Sequence, residues 1–161
     1  VLTDGTIYKS STGEELKKFN VTDGSGAAMA RAANLQIALI SGRYSKATSL
    51  RAKELKITDV YNGTLDKLEP YAELKKKYKM KDENIAYLGD DIIDLPVMEK
   101  AGIPIAVANA VDIIKDEAVY ITAKSGGDGA FREAIDWIIT NQGRYEDTLK
   151  IVRRKIFKNK K

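Results

Sequence analysis

Three acids stand within six residues in Gly89-Asp90-Asp91-Ile92-Ile93-Asp94, directly after the apolar run Ile85-Ala86-Tyr87-Leu88. Capping a helix uses one acid, or two. Three carboxylates at this density repel one another and resist ionising unless a cation sits among them. Asp90 and Asp94 are four apart, so a helical path puts both on one side. The chain holds no His and no Cys. That excludes imidazole bases, thiolate nucleophiles, disulfides and soft-metal centres. Any catalysis must run on carboxylates, hydroxyls, Lys, Arg and backbone, and any metal must be a hard cation bound by oxygen. A Mg²⁺ site at a strand end is the economical reading of the cluster.

Two further groups stand at comparable places. Ser41-Gly42-Arg43 closes the apolar run Leu35–Ile40. A Ser-Gly turn there is an ordinary helix entry, and it also offers a hydroxyl and free N–H groups to an anion. Lys67 follows the run Thr58–Asn62, with Asp66 and Glu69 spaced as a capping box. A cation in a first turn opposes the helix dipole. It is either a solvated surface residue or the partner of a bound phosphate. A hydroxyl, a Lys and an acidic cluster at three successive strand ends are the parts of metal-assisted phosphoryl transfer. Arg51 shares a helical stripe with Ala47 and Leu55, as a snorkelling residue or one reaching an anion across an interface. Asn109 reads as a helix cap, and Gly126-Gly127-Asp128-Gly129 as a tight turn into a helix.

The elements that must position these groups alternate. Runs at 35–41, 58–62, 84–90, 103–107 and 118–122 read as strands. Helical segments are expected at 24–33, 44–55, 67–79, 91–101, 109–117, 128–140 and 144–157. Continuous apolar strands indicate a parallel sheet covered on both faces, hence an α/β three-layer fold with ligands at the carboxyl ends of its strands. Residues 4–21 break this rhythm, and a Ser-Thr-Gly turn between partly alternating segments predicts a β-hairpin insertion.

The 161 residues fit one domain. The net charge of +4 misleads, because residues 153–161 carry six basic groups and no acid, and the rest balances at 21 basic against 23 acidic. The basicity belongs to a tail rather than to a nucleic-acid-binding face, and no apolar run is long enough to span a bilayer. Neither nucleic acid nor membrane is an expected partner.

The order of Ser41, Lys67 and GDDxxD resembles motifs II, III and IV of the haloacid dehalogenase-like (HAD) phosphatases. VLTDG, FNVTDGSG, ISGR, RAKEL, YLGDDIIDLPVM, AVANA and GGDGAFRE are similar to the small, capless branch typified by 3-deoxy-D-manno-octulosonate 8-phosphate (KDO 8-phosphate) phosphatase, across most of residues 1–140. The resemblance implies a Rossmann-like HAD fold with a mostly parallel sheet and no large cap. It implies Mg²⁺-dependent hydrolysis of a phosphorylated sugar acid through an aspartyl-phosphate, in lipopolysaccharide precursor synthesis in the cytoplasm. Asp90 would ligate the metal with Asp91 beside it and Asp94 in support. Ser41 and Lys67 would hold the phosphoryl group with the Gly42 N–H. Arg43, Arg51 and Asn109 would meet the substrate. The branch forms homotetramers whose hairpins pack together, and Arg51 would enter the neighbour's site. Sialic acid 9-phosphate phosphatases of the same branch carry Glu where this chain has Arg43, a departure that favours the octulosonate substrate and leaves sialic acid 9-phosphate as the alternative. Motif I, DxDG, with the nucleophilic Asp, directly precedes VLTDG in this branch. The expectation is therefore a first strand and nucleophile upstream of Val1. A non-catalytic relative acting as an oligomerisation domain is the remaining reading. Receiver domains combine the same groups, but their acids precede the Lys rather than follow it.

Overall fold

The computed structural model describes residues 1–158; the end of the basic tail, 159–161, lies outside the described residues. A short hairpin, β1 (Tyr8–Lys9) and β2 (Glu15–Leu16), comes first. Its turn closes through the Gly13 N–H on the Ser10 carbonyl, with Gly13 at φ +88°. The α/β part then runs α1 (Val21–Ala32), β3 (Ala38–Ser41), α2 (Lys46–Glu54), β4 (Asp59–Asn62), α3 (Leu68–Tyr78), β5 (Ala86–Gly89), α4 (Leu95–Met98), β6 (Ile103–Ala106), α5 (Asp112–Asp116), β7 (Tyr120–Ile121), α6 (Ala130–Asn141) and α7 (Tyr145–Lys158).

Every pairing after the hairpin is parallel, as the apolar runs predict. Strand β3 pairs with β4, placing Ser41 opposite Asn62. Strand β5 pairs with β6, and β6 with β7. Helices pack against these strands in two groups. Ala27 of α1 meets Ala52 and Leu55 of α2 over Leu39 and Val60, and Met29 and Ala30 meet Ile135 and Ile139 of α6. Tyr71 of α3 packs on Val97 of α4 beside Tyr87, while Met98 packs on Ala106 and Ile114. The small residues of α1 permit close approach, since a Cβ at Gly26 would lie 2.9 Å from the Arg132 Cα. Leu149 and Val152 put α7 on the α1–α6 pair.

Two expectations change. The predicted helix 91–101 is a 3-10 turn at 92–94 followed by α4. The Asp94 side chain turns back onto the Asp90 and Asp91 N–H groups and tightens the entry, and Pro96 tolerates the first helical turn. The single expected sheet is divided. Strands β3 and β5 do not pair with each other, and a cavity of about 580 Å³ runs between them. It is lined by Ile37, Leu39, Tyr87 and Leu88 along the strands and reaches Ser41 and Asp90 at their carboxyl ends. Each strand therefore has one side paired and one side facing the cavity, where backbone N–H and C=O groups need partners.

Candidate active site

Ser41, Gly42, Lys67, Asp90, Asp91 and Asp94 line the mouth of this cavity, so the parallel topology brings together groups spread over 54 positions of sequence. Ser41 is the last residue of β3. Its carbonyl accepts the N–H groups of Gly63 (2.8 Å) and Thr64 (2.9 Å), and its hydroxyl donates to the Arg43 carbonyl at 2.9 Å. A Cβ at Gly42 would stand 2.6 Å from the Ile93 Cδ1 of the acidic loop. At Gly89 the Met98 sulfur lies 2.6 Å and the Asp94 Cβ 3.0 Å from where a Cβ would be. At Gly42 the contact is the tip of a side chain that can move, whereas at Gly89 the Asp94 Cβ is less free to give way.

Lys67 is not a solvated surface residue. It is 7% exposed, and its ammonium donates to Asp94 Oδ1 at 2.5 Å. The same oxygen accepts the Tyr87 hydroxyl at 2.6 Å, while Oδ2 accepts the N–H groups of Asp90 (3.0 Å) and Asp91 (3.2 Å). Four donors on two oxygens leave Asp94 nothing to offer a metal or a proton without breaking one of these bonds. Burial alone would raise its pKa; the Lys67 charge and these donors outweigh that and hold it below the ordinary carboxylate range. Burial, then the Asp94 charge, drive the Tyr87 hydroxyl far upward, so it stays a donor.

Asp91 caps the 92–94 turn, accepting the Ile92 N–H at 2.8 Å. The Asp90 carboxylate lies 2.9 Å from the Val1 nitrogen. Among the described residues no three acids converge as a complete metal cage. The carboxylate oxygens of Asp90 and Asp91 are donors of the kind hard cations accept.

The other sequence-derived residues stand elsewhere. The Arg43 guanidinium lies 2.6 Å from Glu15 on β2, tying the hairpin to the turn after β3 and holding the Glu15 carboxyl below its usual range. Arg51 pairs with Glu54 (3.0 Å), donates to the Asn20 carbonyl (3.0 Å) and lies over the Phe19 ring. Asn109 caps no helix. Its Oδ1 accepts the Gly126 N–H at 2.7 Å and clamps the glycine turn, and a neighbouring bond runs from the Gly127 N–H to the Val1 carbonyl. The expected Asp66–Glu69 capping box does not form: Asp66 accepts the Leu68 N–H instead, and a full box forms at Asp91–Asp94. Tyr87 is the site residue that sequence reasoning passed over. Its signal was a phenol inside an apolar strand, where a buried hydroxyl must find a partner.

Residues 7–133 match the family described as haloacid dehalogenase-like hydrolase. The chain is 44% identical over 147 residues to the 3-deoxy-D-manno-octulosonate 8-phosphate phosphatase of Escherichia coli K12, covering 91% of this chain and 78% of that protein. The crystal structure of the Yersinia pestis phosphatase of the same name superposes with a TM-score of 0.88 at 43% identity, over 91% of this chain and 79% of that one. The Moraxella catarrhalis phosphatase, solved in complex with magnesium, phosphate and KDO, gives a TM-score of 0.89 at 37% identity, over 93% and 86% of the respective chains.

Proposed function

Because this chain belongs to the haloacid dehalogenase-like hydrolase family, we propose that it is the phosphate- and metal-holding part of a Mg²⁺-dependent phosphatase that hydrolyses KDO 8-phosphate to KDO and inorganic phosphate. The observation that carries this reading is the buried Lys67–Asp94 pair, set beside Ser41 and Asp90 at the mouth of one cavity. Relatives of the same name at 43–44% identity make the sugar acid the preferred substrate over sialic acid 9-phosphate.

Each residue then has a task. Lys67 and the Ser41 hydroxyl bind phosphoryl oxygens, and the Gly42 N–H orients them. Asp94 holds Lys67 and the Asp90-Asp91 backbone in place. Asp90 and Asp91 hold Mg²⁺, which when bound neutralises phosphoryl charge. The nucleophile in this reading is the carboxylate of a DxDG motif, which residues 1–161 do not contain. Its oxygen bonds to phosphorus as the bond from phosphorus to the sugar oxygen breaks, the leaving oxygen takes a proton, and water then cleaves the acyl phosphate.

We place the active unit in a homotetramer in the cytoplasm. Tyr44, Leu65 and Ile92 are 69%, 72% and 61% exposed around the site mouth, an apolar rim suited to a neighbouring subunit. Full-length protein should release phosphate from KDO 8-phosphate with Mg²⁺ and lose that activity with chelator, with Asp90→Asn and with Lys67→Met. Activity surviving all three changes overturns the reading.

A further inference from the structure

Tyr87 occupies the second position of β5, in register with Pro104, and its ring packs between the clusters around Val97 and Met98. A Phe would serve that packing equally well, so the hydroxyl needs its own explanation. It lies 2.6 Å from Asp94 Oδ1, the same oxygen that accepts the Lys67 ammonium at 2.5 Å. Asp94 Oδ2 is held separately by two backbone N–H groups. The carboxylate is thus fixed at one end by the chain and at the other by Tyr87 and Lys67 together.

Resting on the phosphatase reading above, we propose that Tyr87 is a positioning residue: its hydroxyl occupies one acceptor direction of Asp94 Oδ1 and so confines the Lys67 ammonium to the other. A carboxylate oxygen accepts along two lone-pair directions. With Tyr87 in one, Lys67 has a single place to bond, and its two remaining N–H groups keep a fixed direction. Without the hydroxyl the ammonium can move between both directions, and a displacement of about 1 Å at a reacting centre costs on the order of a hundredfold in rate. Tyr87 acts through Asp94 and touches neither phosphate nor metal in this scheme.

The test is a double-mutant cycle in the full-length, Mg²⁺-loaded protein. Tyr87→Phe should lower kcat by about tenfold to a hundredfold and leave KM within about threefold, with little change in melting temperature. In a Lys67→Met background the same substitution should cost less than about twofold, because nothing is left to confine. A merely structural Tyr87 would instead lower the melting temperature and act equally in both backgrounds. Equal effects in the two backgrounds, or an unchanged kcat in Tyr87→Phe, overturns the proposal. Affinity for inorganic phosphate, measured by calorimetry on the same four proteins, runs the cycle without turnover. Inactive wild type would count against the phosphatase reading; a flat phosphate-binding cycle would count against Tyr87 alone.

Discussion

Replacing Lys67 with Met separates what the buried cation does for folding from what it does for chemistry. Met keeps most of the length and volume of the side chain, so packing changes little. The charge on Asp94, 2% exposed, loses its counter-ion. Breaking a buried pair from one side costs about 3–5 kcal/mol, and the lower end applies because Asp94 keeps the Tyr87 hydroxyl and two N–H donors. For a domain of this size each kcal/mol shifts the melting temperature by about 2–4 °C, so the expected loss is about 6–12 °C. Phosphatase activity should fall by a further hundredfold to thousandfold, the usual range for removing one preorganised donor to developing phosphoryl charge. Adding Asp94→Asn removes the stranded charge and should recover about half of the lost stability with no recovery of activity. Differential scanning fluorimetry and a phosphate-release assay on the three proteins read both quantities. A single variant that melts like wild type, or a double variant that regains turnover, refutes the reasoning.

Gly127→Ala forces a side chain onto a residue at φ +74°, with its Cβ 2.4 Å from the Asp4 nitrogen; stability should drop by at least about 2 kcal/mol in thermal melts, and activity with it, because the turn holds the Val1–Thr3 segment. Asp59 is buried, which alone would raise its pKa, but the Lys77 ammonium and Tyr78 hydroxyl bonded to it bring the pKa below the usual value. Its contribution is therefore complete above an unfolded pKa of about 3.9 and is lost as pH falls through the lower folded value. The stability gap between wild type and Asp59→Asn should be constant near pH 6 and shrink below about pH 4 in urea titrations. Arg43→Glu breaks the bridge to Glu15 and sets two carboxylates against each other; the ratio of kcat/KM for KDO 8-phosphate over sialic acid 9-phosphate should fall, and an unchanged ratio removes Arg43 as a selector.

The strands, most of the helices and the acidic loop are legible in the sequence because each depends on local pattern. Apolar runs of four to seven residues can only be buried, and Gly89-Asp90-Asp91 after such a run must stand at a strand end. Ser41, Lys67 and Asp90 are identifiable because hydroxyl, cation and carboxylate types are scarce at strand ends and a chain without His or Cys has few other means. What pairs with what is not local. Lys67 is an ordinary first-turn lysine until α3 and α4 pack together and bury it on Asp94. Arg43 turns to Glu15 and Arg51 to Asn20 because a hairpin and a loop, distant in sequence, lie beside them. Asn109 faces a glycine turn 17 residues on. Side-chain type therefore determined which residues could do chemistry. Tertiary packing decided which of them are buried, which charge each one meets, and that Tyr87 joins them, because burial and pairing energies depend on neighbours that sequence spacing does not specify.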